Sequence, residues 1–138
     1  MSVLDNVAEA LQHIHCKGYL HNDLKVNNVV LERRYGRQYN AVIIDFGKST
    51  TIDSLEPKTL SKSEQKIYRQ SYPHIAPEII CGQATASTAS DVYSSGRLMG
   101  FLCQKADLNL GAKRSLLKNL ALSENAVSRP QLTEFVFN

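Results

Sequence analysis

Several features that would place a protein in a specialised class are missing from this sequence. No run of apolar residues approaches the length of a membrane span, so we expect no membrane segment. The N-terminal residues have neither the basic start nor the apolar core of a signal peptide. No basic stretch is interleaved with aromatic residues, and a formal net charge of only +3 gives no reason to expect nucleic acid as a partner.

Cysteine is also scarce. Cys16, Cys81 and Cys103 lie far apart and form no Cys-x-x-Cys pair. An odd number of separated cysteines favours free thiols in a reducing compartment, so we expect a cytoplasmic location. With 138 residues, 43% of them hydrophobic, the chain is long enough for one domain with a core and too short for two, so residues 1–138 are predicted to be one domain.

Apolar spacing predicts a mainly helical domain with one small antiparallel β ribbon. The first segment carries apolar residues at helical spacing and ends at Lys17-Gly18, a cation followed by a residue that readily takes a positive φ. Residues 27–32 and 41–45 are predicted strands. The polar residues 33–40 between them are predicted to close a hairpin.

The second half is predicted to be helical apart from one long connection. Residues 48–72 are polar and poor in apolar residues, which is typical of a solvated, mobile loop. A buried helix is predicted from a cap at Ser90 or Asp91 to residue 103. A second helix over 111–122 is predicted to place Ala112, Leu116, Leu117 and Leu120 on one stripe. Pro130 suits the first turn of a last helix.

Two short motifs carry the chemistry of this sequence. Residues 21–28 read His-Asn-Asp-Leu-Lys-Val-Asn-Asn, and residues 44–47 read Ile-Asp-Phe-Gly. The first resembles the protein-kinase catalytic loop, His-Arg-Asp-Leu-Lys-x-x-Asn, and the second matches the Asp-Phe-Gly motif of the same family. The spacing between them fits the hairpin that separates the two motifs in that family.

The resemblance implies a protein kinase that uses ATP and Mg²⁺. Phosphoryl transfer needs an aligned nucleophile, neutralised phosphate charge and a held metal ion. The resemblance implies that Asp23 accepts or orients the proton of the attacking hydroxyl, and that Lys25 contacts and stabilises the transferring phosphate. It also implies that Asn28 and Asp45 hold Mg²⁺, which prefers oxygen ligands, and that Val30 packs against the adenine of ATP.

Three later motifs favour a protein kinase over aminoglycoside or choline kinase-like phosphotransferases, which share the first two. They are Ala-Pro-Glu at 76–78, Asp-Val-Tyr-Ser-Ser-Gly at 91–96 and Ser-Arg-Pro at 128–130. The resemblance covers essentially the whole chain and implies an activation segment over residues 45–78. A small-molecule phosphotransferase remains an alternative at this point.

Several structural roles follow from the same resemblance. Glu78 would form an ion pair with Arg129, and Asp91 would cap its own helix and anchor the backbone of the catalytic loop. His21 would be a buried anchor for the Asp-Phe-Gly turn rather than a catalytic base. Ser71 would bond to the catalytic Asp and Lys. The other supporting residues implied are Phe46 and Gly47.

The implied fold is a protein-kinase C-terminal lobe, that is, an α+β protein-kinase-like fold lacking the N-lobe. The Gly-rich loop, the strand-three Lys and the helix-C Glu that hold ATP in the family do not occur in these residues. We therefore expect a partial domain that is inactive alone, and an N-lobe encoded upstream, a truncated gene model and a degenerate kinase are all open explanations. A pseudokinase or scaffold that binds protein partners is the main rival from another class.

Three positions refine these expectations. Lys25 favours the Ser/Thr or tyrosine-kinase-like branch over true tyrosine kinases, so the implied partner is a protein substrate with a Ser or Thr hydroxyl. Asn22 replaces the Arg that pairs with a phosphorylated activation segment, so phosphorylation is not expected to switch this chain by that route. His74 stands where the family usually has Tyr.

Overall fold

The computed structural model describes residues 3–36, 38–54, 56, 59–106 and 110–136. The predicted domain limits 1 and 138, and positions 55, 57 and 58 of the predicted activation segment, lie outside the described residues. Cys16, Cys81 and Cys103 are all free thiols.

The first helix, α1 (Val3–Cys16), matches the apolar spacing of its sequence. Val7, Ala8 and Leu11 face the core, and the helix ends before Gly18, whose φ of 87° is a left-handed value that glycine adopts without strain. The helix packs against the third strand and against the last 3-10 turn, Leu132–Phe135. It therefore supports the ribbon that carries both sequence motifs.

The β structure consists of two antiparallel pairs. β1 (Tyr19–Leu20) pairs with β4 (Thr50–Thr51), and β2 (Val29–Arg33) pairs with β3 (Tyr39–Ile43) in the register that sets Val30 opposite Val42. The predicted hairpin is confirmed, but the first strand begins two residues later than predicted. Val26–Asn28, just before it, forms a 3-10 turn.

The long polar segment is not a continuous loop, which corrects the prediction for residues 48–72. It contains β4 and a helix, α2 (Lys62–Ser71), that buries none of its residues. The Ser61 hydroxyl accepts from the Glu64 N–H at 3.2 Å, and Glu64 accepts in return from the Ser61 N–H at 3.4 Å. This reciprocal cap begins a helix that no apolar stripe in the sequence predicts.

The central helix, α4 (Thr88–Ala106), begins earlier than predicted. Ser87, not Ser90 or Asp91, is the capping residue, because its hydroxyl accepts from the Ser90 N–H at 3.2 Å. Asp91 therefore lies inside the helix and does not cap it, which leaves its carboxylate free to bind another segment. A short helix, α3 (Pro77–Ile80), precedes α4.

Helix α5 (Gly111–Ala121) confirms the predicted helix but not its predicted stripe. Leu117 and Ala121 are buried, whereas Leu116 is 58% exposed and Leu120 is 40% exposed. The buried face is set by α4, since a Cβ on Gly96 would lie only 2.9 Å from the Cβ of Ala121. After a second 3-10 turn, Ala126–Ser128, the predicted last helix is only the 3-10 turn that buries Leu132 and Phe135.

Candidate active site

Hydrogen bonds to one buried carboxylate of the central helix hold the backbone of the catalytic loop. Asp91, which is 1% exposed, accepts hydrogen bonds from the backbone N–H of His21 at 2.9 Å and of Asn22 at 3.0 Å. Its Oδ2 also lies 2.8 Å from His15 Nε2. Because a carboxylate has room for several donors, one side chain of α4 fixes the loop to α1 and to the domain core.

His21 joins this loop to the Asp-Phe-Gly turn. It is fully buried, its Nε2 lies 3.0 Å from the carbonyl oxygen of Ile44, and its Nδ1 accepts from the N–H of Asp23 at 3.2 Å. Only the neutral tautomer with hydrogen on Nε2 satisfies both partners. The Phe46 ring packs edge-on against His21 at 5.2 Å between ring centroids. His21 thus occupies an anchoring position with no free nitrogen for acid–base chemistry.

Asp23 lies where four side chains converge. Its Oδ1 lies 2.8 Å from His74 Nε2, 3.8 Å from Lys48 Nζ and 3.9 Å from Lys25 Nζ. Asn28 Nδ2 donates to Asp23 Oδ2 at 3.1 Å and to its backbone oxygen at 2.7 Å. The carboxylate is thereby held in one orientation from both sides.

The surroundings keep Asp23 ionised and His74 neutral. Burial acts to raise the pKa of Asp23, but the His74 hydrogen bond and the charges of Lys48 and Lys25 outweigh it, so the pKa lies below its ordinary value. Burial, helped by the charges of Lys25 and Lys48, lowers the pKa of His74 by more than the hydrogen bond and charge of Asp23 raise it. At neutral pH, His74 therefore donates its Nε2 hydrogen to the Asp23 carboxylate.

Asn28 lies just before the ribbon, and Asp45 lies just after it. The backbone oxygen of Asn28 accepts from the Ile44 N–H at 2.9 Å, next to Asp45. The Asn28 amide nitrogen is engaged by Asp23, and no hydrogen bond among the described residues uses its Oδ1. Asp45, at φ 61°, is exposed, and its Oδ1 accepts a hydrogen bond from the N–H of Gly47 at 3.1 Å.

The ligand chemistry of these two side chains suits a magnesium ion that would complete its shell with water and phosphate. Both offer oxygen, and the part of the chain that the structure describes contains no cluster of three His, Cys, Asp or Glu residues able to hold a metal ion. Mg²⁺ typically takes one or two protein oxygens and fills its shell otherwise, whereas zinc or copper would need His or Cys. When bound, Mg²⁺ neutralises phosphate charge.

A buried ion pair joins two of the later motifs. Arg129 donates from both terminal nitrogens to the two carboxylate oxygens of Glu78, each at 2.7 Å, and both residues are buried. Arg129 also donates to the backbone oxygens of Ser123 and Ala89, and its guanidinium lies 5.0 Å from the centroid of the Tyr93 ring. The ion pair implied by the sequence resemblance is present.

A comparison with known families settles which fold this constellation belongs to. The family described as "Protein kinase domain" matches residues 1–131. The chain belongs to the protein kinase domain family. The ordered catalytic loop, Asp-Phe-Gly turn and Glu78–Arg129 pair are thus parts of a partial kinase fold, mainly helical with small antiparallel sheets, as predicted.

Individual curated kinases resemble the chain at similar levels. The serine/threonine-protein kinase Pkn1 of Myxococcus xanthus is 34% identical over 96 residues, which cover 70% of this chain and 13% of that protein. Receptor-interacting serine/threonine-protein kinase 3 of Rattus norvegicus is 31% identical over 134 residues, covering 96% of this chain and 26% of its own length. Serine/threonine-protein kinase PknD of Chlamydia pneumoniae is 28% identical over 142 residues, covering 95% and 14%. The chain thus spans about a quarter or less of these relatives.

Two residues of this kinase site were missed by sequence reasoning. Lys48 was interpreted as part of a solvated loop, yet its ammonium lies near Asp23 and 5.8 Å from the centroid of the Tyr72 ring. His74 was recognised as a departure from the family, which was the available signal, but without a role. Ser71, expected to bond to Asp23 and Lys25, instead ends α2 in an exposed position, and His74 supplies the hydrogen bond to Asp23.

Asn22 replaces the family's Arg with neutral contacts. It takes a φ of 70°, which Asn tolerates better than most residues, and its Nδ2 donates to the backbone oxygen of Lys48 at 3.0 Å and to Thr50 Oγ1 at 2.8 Å. Residues 48 and 50, in the predicted activation segment, are therefore bonded to residue 22 of the catalytic loop through neutral groups. No helix among the described residues is both long and apolar enough to cross a membrane.

Proposed function

We propose that this chain supplies the catalytic half of a kinase domain that transfers the γ-phosphate of ATP to a Ser or Thr hydroxyl of a protein. The observation that carries the proposal is the Asp23 carboxylate, held ionised and oriented by His74 and Asn28, with Lys25 beside it. A protein that only binds partners does not need a carboxylate whose neighbouring side chains keep it ionised and hold it in one orientation.

Each group has a part in the proposed transfer. The substrate hydroxyl would donate a hydrogen bond to Asp23, which aligns its oxygen and receives the proton as the new bond to the γ-phosphorus forms. The bond from the γ-phosphorus to the bridging oxygen of the β-phosphate would break at the same time, and ADP would leave with that oxygen. Lys25 would offset negative charge that spreads over the phosphoryl oxygens. Asn28 and Asp45 would hold Mg²⁺, and the neutral His74 would keep Asp23 from rotating away.

The ribbon supports a further part of the proposal, that residues 1–138 alone turn over poorly. Val30, opposite Val42 in the register, is 46% exposed, and Val42 and Ile44 are 38% and 39% exposed. Side chains two apart on a strand share a face, so these three residues form an apolar stripe beside the metal-binding residues. We infer that this stripe packs against adenine and the second lobe, which would bring the remaining phosphate contacts.

A fusion experiment tests the proposal. The chain would be assayed alone, and also fused behind the ATP-binding lobe of a Ser/Thr kinase relative, with Mg²⁺-ATP and a mixture of Ser, Thr and Tyr peptides. We expect no turnover by the chain alone and phosphorylation on Ser or Thr by the fusion. Asp23→Asn should lower that rate about a hundredfold or more, whereas the matched surface change Asp53→Asn should not.

Three results would count against it. Turnover by the chain alone that Asp23→Asn abolishes would refute the inferred inactivity. Phosphotyrosine as the main product would refute the Ser/Thr assignment. A folded fusion that binds ATP without transferring phosphate would favour the scaffold alternative.

A further inference from the structure

A groove opens beside the catalytic loop. It has a volume of about 610 Å³ and lies between the catalytic loop, residues 71–74, α4 and α5. Among the residues that line it are Lys25, Tyr72, Arg97, Phe101, Gln104 and Lys118. Since Lys25 and His74 border both the groove and Asp23, any chain lying in the groove passes the catalytic carboxylate.

The charge of this groove has one sign. Lys25, Arg97 and Lys118 line it, and none of its described lining residues is Asp or Glu. Within the described part of the chain, Arg97 and Lys118 form no ion pair, and the Lys25–Asp23 separation is a long 3.9 Å. Arg97 and Lys118 are therefore available to a ligand, whereas Lys25 also faces Asp23.

The excess of positive charge continues past the end of the groove. An adjoining pocket of about 140 Å³ shares Tyr72 and Arg97 with it and adds Arg69. Glu124 is the single carboxylate among the described residues that line this pocket. Over both cavities, four cations face one carboxylate, although the chain as a whole carries a formal net charge of only +3.

Apolar side chains give the groove a second kind of contact. Tyr72 is 37% exposed and Phe101 is 40% exposed, so both can cover the backbone and side chains of a bound segment. The guanidinium of Arg97 can engage a carboxylate through two parallel hydrogen bonds, and the lysines act as point charges. This combination fits an extended peptide better than a small molecule, which would want an enclosed pocket.

We propose that this groove binds the acidic flank of a protein substrate, so that Asp or Glu residues next to the acceptor hydroxyl pair with Arg97 and Lys118. The inference rests on the proposed function, in which the substrate hydroxyl lies at Asp23. It adds that the groove selects substrates with an acidic sequence beside that hydroxyl. Discrimination comes from charge. A basic segment would be repelled by the same cations, because they outnumber the carboxylates that line the two cavities.

Direct peptide binding tests the inference without needing phosphoryl transfer. Three short peptides would share a central Ser and differ only in their flanks, which carry Glu, Gln or Lys. Binding to the ¹⁵N-labelled 138-residue chain would be followed by chemical-shift changes. We expect the Glu peptide to bind tightest, with shifts in the amide signals of Arg97, Gln104 and Lys118. Binding should weaken from about 0.1 M to about 1 M salt, because the screening length falls from about 10 Å to about 3 Å.

Charge-reversal variants locate the contact. Arg97→Glu and Lys118→Glu should each weaken binding of the Glu peptide about fivefold. Lys17→Glu, which makes the same charge change at the exposed end of α1, should leave it unchanged. If either groove variant fails to fold, Arg97→Gln and Lys118→Gln replace them with a smaller expected loss.

The outcomes separate this inference from the proposed function. Equal binding of the Glu and Lys peptides, or a loss in Lys17→Glu as large as in Arg97→Glu, would overturn the acidic preference even if the fusion kinase is active. Preferential binding of the Glu peptide by a fusion that transfers no phosphate would uphold the groove and refute the kinase activity. Tighter binding of an RNA oligonucleotide than of the Glu peptide would overturn the peptide assignment.

Discussion

The two sides of Asp23 are built in opposite ways. On one side, the catalytic loop is fixed by buried bonds to distant residues, with Asp91 holding its backbone and His21 joining it to Ile44. On the other side, the predicted activation segment, residues 45–78, is largely exposed where the structure describes it, and its helix α2 buries no residue. Its contributions to Asp23 are single side chains, the buried His74 and the 60% exposed Lys48.

This difference separates a fixed part of the site from an adjustable part. Asp23, the carboxylate that we propose aligns the substrate hydroxyl, lies on a loop that buried hydrogen bonds fix to α4 and to Ile44. His74 and Lys48, which help to keep Asp23 ionised, lie on the opposite segment, whose helix α2 buries no residue. The predictions below test that division, from the largest expected effect to the smallest.

Removing one partner of the buried ion pair should have the largest effect on stability. Arg129→Ala strands the buried Glu78 carboxylate and should lower the free energy of unfolding by about 3–5 kcal/mol, measured by urea denaturation. Arg34→Ala is the matched control, because its partner Glu32 lies 3.3 Å away with both side chains more than half exposed, and it should cost about 0–1 kcal/mol. Similar losses in the two variants would contradict the buried pair's importance.

Asp91→Asn should loosen the catalytic loop. Asparagine replaces one acceptor oxygen with a donor, so it cannot serve the N–H groups of both His21 and Asn22, and the cost should be about 1–3 kcal/mol. Amide exchange at these two positions should accelerate more than exchange along α4. Asp53→Asn at an exposed site should change neither. Unchanged protection of His21 would show that the loop is held by other contacts.

His74 should make stability depend on pH. Its folded pKa is lowered, so the unfolded chain takes up the proton first, and stability present above the ordinary value of 6.5 is lost as the pH falls below it. Asp23, with a lowered pKa, adds a similar loss at more acidic pH, below 3.8.

The pH dependence can be assigned with a pair of variants. His74→Gln should flatten the decline in the urea midpoint below pH 6.5, while His13→Gln, at an exposed position of α1, should keep the wild-type slope. A wild-type slope in His74→Gln would mean that other groups cause the acid sensitivity.

The cap of α2 should matter only locally. Ser61→Ala removes the acceptor for the Glu64 N–H and should cost about 1 kcal/mol within the helix, seen as faster amide exchange over residues 62–71. The global unfolding midpoint should not move, because α2 buries no residue. Lys62→Ala, in the same turn but outside the cap, is the control. A fall in the midpoint after Ser61→Ala would mean that the activation segment is part of the cooperative core.

How well the sequence predicted each element follows from how local its signal is. Helix α1 and the β2–β3 ribbon were predicted within a few residues because apolar period and turn chemistry are local. Helix α2 was missed because its sequence has no apolar stripe, although the Ser-x-x-Glu pattern at 61–64 was a readable start signal. The stripe predicted for α5 was wrong because its contact face is chosen by Gly96 on another helix.

The sequence by itself determined the residue types of the site and their order along the chain, including Asp23, Asn28 and the Asp-Phe-Gly turn, since each belongs to a short motif. Only the tertiary structure decided that His74, 51 residues away, holds Asp23, that Lys48 turns towards it, and that Arg97 and Lys118 share one groove. The reason is physical. The spacing of apolar residues and turn preferences act over a few residues. These contacts instead depend on how α4 and α5 pack and on where α2 ends, which sets the position of the residues after it.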